Sequence, residues 1–279
     1  MTIRDILAHV DDSAAARARF DFALDLARTL GARVTALYLI PEPFMSGASR
    51  HAPAEIVQEH VALAEAAADS ALAAFPAEAE RRSVALRILK ESGPLDRLPT
   101  LLARDARNSD LVVVGQPDPR TGSGDAALLV EAAFMETGRP ALMIPHGGAV
   151  AGPLRRVLIA WNASREASRA VHDALPLLLA AEEVVVLVID PDDVGIALGR
   201  TPGSGLIQYL ELHGATARLM SVESGRRSVG EVIMAEAEAE RADLLVMGGY
   251  GHSRLREALL GGATRTLLAE AALPVVISH

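Results

Sequence analysis

Residues 4–27, RDILAHVDDSAAARARFDFALDLA, and residues 155–178, RRVLIAWNASREASRAVHDALPLL, carry one pattern twice. Each opens with a short apolar strand, turns at Asp11 or Asn162, passes Ser13 or Ser164, and continues with helical periodicity. Matching Asp11 to Asn162 sets an offset of 151 residues. Further on, SDLVVVGQ (109–116) answers ADLLVMGG (242–249), with Asp110 and Asp243 offset by 133. The closing strands PALMIPH (140–146) and PVVISH (274–279) keep that second offset to within a residue. The chain is therefore an internal duplication, with about eighteen extra residues in the first copy around its second helix. Each copy is domain-sized.

Between the copies runs HGGAVAGP (146–153), short and glycine-rich, which divides the chain into domains 1–146 and 153–279. Each half reads β-α-β-α-β-α-β-α-β. Strands are expected near 4–10, 33–40, 83–90, 110–115 and 141–145, then near 155–161, 183–189, 216–223, 242–248 and 274–278. Right-handed crossovers make each half a doubly wound five-stranded parallel sheet flanked by helices, with ligands beyond the carboxyl ends of the strands. In the helix over 228–241, Val229, Val232, Ile233 and Ala237 are the residues expected to be buried.

Composition excludes several classes of function. The 279 residues hold no cysteine, so there is no disulfide, thiolate metal site, iron–sulfur cluster or thiol nucleophile. The net charge of -9 argues against an extended nucleic-acid surface. The only lysine, Lys90, is followed by Glu91, so no Gly-Lys-Ser/Thr phosphate loop exists. No histidine pair has metal-ligand spacing, and no G-x-S-x-G elbow occurs, so no metal and no catalytic residue are assigned. The charged N-terminus lacks a signal-peptide core, and no apolar run is long enough to span a membrane. A cytoplasmic protein without a membrane partner is expected.

Residues 248–264, GGYGHSRLREALLGGAT, then pose the functional question. Gly248 and Gly251 follow a strand, and Gly261 and Gly262 open a helix. Backbone N–H groups at a helix N-terminus attract anions, and missing Cβ atoms let a phosphate chain approach. His252, Arg254 and Thr264 add donors. The competing reading is that the glycines turn the chain and pack a helix closely.

With Gly248-x-x-Gly251, nine residues and Gly261-Gly262, the second half resembles the universal stress protein family, and LIAWNASREASRAV matches its first strand and turn. The likeness covers both halves nearly end to end. It implies an adenine nucleotide alpha hydrolase-like fold that binds ATP or another adenine nucleotide, with Mg as a companion ion. It also implies roles for Ala160, Asn162 and Val188 around base and ribose. Met247, Gly248 and Gly251 would lie beneath the sugar and phosphates, with Gly261, Gly262, Ala263 and Thr264 capping the phosphates. Asn162 stands where the family often has Asp, and Gly262 where it has Ser or Thr. The expected output is regulatory, through an unknown protein partner, with a slow ATPase as the most that catalysis would amount to. A nucleotide-free scaffold and a phosphoryl- or adenylyl-transfer enzyme are the alternatives. The two halves would mimic a homodimer through their last strands, with further homodimerisation open.

In the first half Gly115 matches Gly248, but Asp118 falls at Gly251, and Leu128 and Leu129 replace Gly261 and Gly262. The first domain is therefore expected to be degenerate for nucleotide. The dinucleotide-like GSGDAA (122–127) follows the wrong strand and reads as a loop. Segments 41–56 and 191–205 read as connectors or as lids.

Overall fold

The computed structural model describes residues 2–42, 54–118, 120, 124–147, 154–191, 201–249 and 262–279. Two compact units are present. One comprises Ile3–Gly115 and Gly122–Arg139, and the other Gln116–Thr121 and Pro140–His279 together with Met1–Thr2.

The first unit runs β1 (Asp5–Val10), α1 (Ala14–Leu30), β2 (Arg33–Pro41), α2 (Ala54–Leu72), α3 (Phe75–Arg81), β3 (Leu86–Gly93), α4 (Leu98–Ala106), β4 (Leu111–Gly115) and α5 (Gly124–Met135). Its strands are parallel in the order β3-β2-β1-β4, with Asp5 opposite Arg33 and Ile6 opposite Leu111. Val112, Val113 and Val114 are all buried, as a strand covered on both faces requires. β3 starts three residues later than expected, because α3 is followed by Ser83 in the left-handed region (φ 57°).

The second unit runs β5 (Ala141–Ile144), β6 (Arg156–Ala160), α6 (Arg165–Ala180), β7 (Glu183–Ile189), α7 (Ser204–Leu212), β8 (Ala217–Val222), α8 (Val229–Ala239), β9 (Leu244–Gly248), α9 (Ala263–Glu270) and β10 (Val275–Ser278). Strands β10-β9-β6-β7-β8 form a five-stranded parallel sheet, and β5 adds to β10 antiparallel, with Leu142 opposite Val276. The last strand of the first repeat is thus paired with the last strand of the second. All four residues of β5 are buried, and the pairing satisfies the edge that β10 would otherwise expose.

α6 and α1 begin alike. Ser13 Oγ accepts from the Ala16 N–H at 3.0 Å, and Ser164 Oγ from the Ala167 N–H at 3.1 Å. These are N-caps that satisfy an otherwise orphaned donor. In α8 the reading of buried positions needs one correction. Val232, Ile233 and Ala237 are buried, but Val229 is 45% exposed. Val229 is the first helical residue, so it lies at the solvent end, while Gly230 turns inward beside Thr266.

Candidate functional site

In each repeat the first turn is built from the same local chemistry. Asn162 Oδ1 accepts the Ser164 N–H at 3.1 Å, as Asp11 Oδ1 accepts the Ser13 N–H at 2.8 Å. These side chain–backbone turns leave Asn162 exposed at the carboxyl end of β6. Among the described residues nothing else bonds this side chain, so its amide group and the second lone pair of Oδ1 are open to a ligand. Ala160 is half-buried at the end of β6, and Val188 and Met247 are buried near the ends of β7 and β9.

Gly248 has a packing reason of its own. A Cβ built there would lie 2.5 Å from the Ala167 nitrogen and 2.6 Å from the Glu166 carbonyl carbon. The first turn of α6 therefore rests directly on the end of β9, and glycine is the residue that permits it. Packing is one of the two readings weighed for these glycines, and at Gly248 the contact is explicit.

α9 starts at Gly262, whose φ of -56° and ψ of 157° suit any residue, and no side chain caps it. Its first turn holds no acidic residue. Among the described residues, then, no capping side chain and no first-turn acid meets this positive helix end, and helices of βα units begin on the carboxyl side of the sheet. Thr264 is 2% exposed and belongs to the packed side of this turn. Gly251, His252, Arg254 and Gly261 lie outside the described residues, as do most of segments 41–56 and 191–205.

Two residues missed at the sequence level complete the wall beside Val188. Gly203 takes φ 86°, and a Cβ on it would lie 2.7 Å from Leu219 Cδ1, 3.1 Å from Val188 Cγ2 and 3.8 Å from Trp161 Cδ1. Gly203, Leu219, Val188 and Trp161 therefore meet at one point, with the Trp161 N–H donating to the Leu187 carbonyl at 2.9 Å. The Pro202-Gly203 dipeptide was the available signal, since such a pair marks a turn with left-handed backbone. Beyond β7, Asp190 (φ 49°) accepts the Ser224 N–H at 2.8 Å, and that bonding holds its carboxyl below the usual range.

At the end of β4 in the first repeat the glycine meets a buried side chain instead of backbone. Arg19 is 4% exposed, and its Nη1 lies 2.1 Å from where a Cβ on Gly115 would stand. Its Nε donates to the His9 carbonyl at 2.7 Å, and Nη2 to Asp11 Oδ2 at 3.1 Å. At offset 151 the second repeat has Ala170 here. Burial, with the Arg19 charge beside it, pushes the His9 imidazole down to about 4. Burial raises the Asp11 carboxyl, but Arg19 and the Ser13 hydrogen bonds outweigh this and leave it below its ordinary value. Asp118 is not a bare carboxylate: Arg120 bonds it at 3.0 and 2.8 Å. Leu128 is 51% exposed on α5. Among the described residues, no group of three potential metal ligands occurs and no helix is long and apolar enough to cross a membrane.

An α/β protein of two duplicated, doubly wound repeats is the class so defined. The model of the universal stress protein family matches residues 2–129 and again 153–279, so the chain is a tandem member of that family. Among solved structures, a universal stress protein from Archaeoglobus fulgidus DSM 4304 is 14% identical, over 99% of this chain and 96% of that one, with a TM-score of 0.73. A functionally unknown protein from Pseudomonas aeruginosa PAO1 is 15% identical, over 99% and 92%, with a TM-score of 0.60. A universal stress protein in complex with cAMP matches 48% of this chain and 92% of its own, at 15% identity and a TM-score of 0.33. No curated protein matches the chain.

Proposed function

We propose that the second repeat binds one adenine nucleotide per chain, ATP or a close relative, and that the protein acts as a regulatory stress-response module rather than as an enzyme. The observation that carries the reading is the N-terminus of α9 at Gly262, which no side chain among the described residues caps, in a sheet whose first turn presents Asn162. Asn162 would hydrogen-bond base or ribose, the wall of Val188 and Trp161 would cover the apolar face of the ligand, and Gly251 and Gly261–Thr264 would hold the phosphates. A Mg ion would travel with the phosphates. In this reading the first repeat, domain 1–146, takes no nucleotide because Asp118, Leu128 and Leu129 break the glycine series, and the burial of Arg19 against Gly115 supports it. Nucleotide occupancy in domain 153–279 would order neighbouring loops and alter binding to a protein partner in the cytoplasm, with dimerisation of the whole chain as a further level.

Denaturing freshly purified protein and measuring the supernatant tests this directly. The expected result is a 260 nm-absorbing adenine species near one equivalent, or one-site calorimetric binding of added ATP. A protein that releases nothing and gives no heat with ATP overturns the reading in favour of a nucleotide-free scaffold. Two equivalent sites per chain would remove the assignment to the second repeat.

A further inference from the structure

The first unit carries a concave surface at the amino-terminal edge of its sheet. A cavity of about 910 Å³ is lined by Arg4, Arg28, Arg33, Arg81 and Arg82, with Asp25 as its one acidic residue. In a chain of net charge -9 such a concentration of guanidinium groups is out of balance with the whole.

The duplication supplies an internal control. In the first repeat Asp110 Oδ2 accepts the N–H groups of Arg4 and Asp5, and in the second Asp243 Oδ2 accepts those of Arg155 and Arg156, so the two edges are built alike. The second-repeat cavity, about 560 Å³, sets Arg155, Arg156 and Arg241 against Glu182, Glu183 and Asp243 and is neutral. Glu183 opens β7 where Arg33 opens β2. The frame is shared, and only the first copy has become basic.

The bland reading is that arginines sit at helix carboxyl ends to offset the dipole. It does not account for the set. Arg4 and Arg33 belong to strands or their approaches, and the last turn of α6, the counterpart of α1, has no basic residue at all. Nor are the guanidinium groups used up by their partners. Arg33 is held by Asp5 at 2.7 Å, Arg82 by Asp21 and Glu78 at 3.2 and 3.1 Å, and Arg81 by Glu78. Asp5, Asp21 and Glu78 do not line the cavity. Arg82 is the most engaged, its Nη1 also donating to the Asp21 carbonyl at 2.8 Å and its Nε lying 3.8 Å from Asp25, so the donors left for the opening are chiefly those of Arg28, Arg33 and Arg81. Arg28 reaches Asp25 only at 3.8 Å, beyond hydrogen-bond distance, and its side chain is 64% exposed.

We propose that this cavity binds a compact polyphosphate, a ligand with two or more linked phosphoryl groups, at a site separate from the nucleotide edge of the second repeat. Guanidinium forks match phosphoryl oxygens bidentately, and several forks around one concavity select a ligand that reaches more than one of them. With Asp5, Asp21, Glu78 and Asp110 behind the arginines counted, the neighbourhood as a whole is neutral, so the attraction rests on the guanidinium groups facing the cavity, is local and is screened by salt.

Calorimetric titration of the full chain with inorganic tripolyphosphate tests the proposal, first at low ionic strength and then in about 0.5 M salt, where the Debye length falls to only a few ångströms. One equivalent is expected in the first repeat, weakened at least tenfold by salt. Orthophosphate, which reaches fewer forks, is expected to bind at least tenfold more weakly. The double variant R28Q/R81Q removes two exposed guanidinium groups and should lower tripolyphosphate affinity tenfold or more, with ATP binding unchanged. The variant D25N should raise the affinity several-fold, a gain that a damaged fold could not give. Equal affinity in wild type and R28Q/R81Q, or equal affinity for orthophosphate and tripolyphosphate, would overturn the proposal, as would the absence of saturable heat at low salt.

Discussion

The Arg19 guanidinium stands where a side chain on Gly115 would begin, with Nη1 2.1 Å from the position of that Cβ. The equivalent Gly248 faces backbone instead, 2.5 Å from the Ala167 nitrogen. One glycine position, repeated by duplication, therefore makes room for a buried cation in one half and for a helix in the other.

This difference orders two substitutions. Gly248→Ala forces β9 and the first turn of α6 apart, and is expected to cost about 3 kcal/mol or more through overpacking. Gly115→Ala displaces only the tip of a side chain, though an ion-paired one, and is expected to cost about 1–3 kcal/mol. Urea unfolding of both variants beside the wild type checks the order, and a larger loss at Gly115 would contradict the packing described.

Acid should weaken the first repeat before it weakens the second. His9 titrates at about 4 in the folded state against 6.5 for the free side chain, so between those values the unfolded chain binds the extra proton. Its contribution is complete above pH 6.5 and is lost as pH falls toward 4, by at most about 3 kcal/mol. Asp11, also lowered, acts in the same direction but only at still lower pH, as its carboxylate is protonated. Melting temperatures from pH 7 to pH 4 should therefore fall more steeply for the wild type than for His9→Leu. Parallel curves would remove His9 as the cause.

Trp161 is the only tryptophan of the chain, and it shares the wall with Val188 and Gly203. Its emission should change saturably as ATP is added, with an end point near one equivalent. Asn162→Ala removes one hydrogen bond to the ligand and should weaken ATP binding by about 3- to 10-fold, the effect of a single neutral hydrogen bond. Unchanged affinity would show that Asn162 serves the turn alone.

Gly203→Ala places a Cβ against Leu219 and Val188 at a backbone φ of 86°. The left-handed conformation alone disfavours alanine by about 1 kcal/mol or more, and the contact adds to this. The variant is expected to melt lower and to bind ATP more weakly through its displaced wall. Normal stability with normal affinity would separate Gly203 from the site.

The duplication, the α/β alternation and the order of elements were legible in the sequence, because apolar period and turn residues are local properties repeated at fixed offsets. Ser13 and Ser164 with Asp11 and Asn162 dictate the same strand-to-helix turn by hydrogen bonds that span two or three residues. The sequence also set apart the second glycine series and excluded lysine phosphate loops and thiol chemistry. It could not show which element Gly115 and Gly248 face, since those contacts join residues 81 or more positions apart. Nothing local set Arg19 apart, and only the packing of α1 against the ends of β1 and β4 made it a buried, bonded cation. The pairing of β5 with β10 and the gathering of Arg4, Arg28, Arg33, Arg81 and Arg82 around one cavity were likewise decided by tertiary structure. Local chemistry fixes how each segment folds, but which side chains share a low-dielectric space depends on contacts that no short stretch of sequence contains.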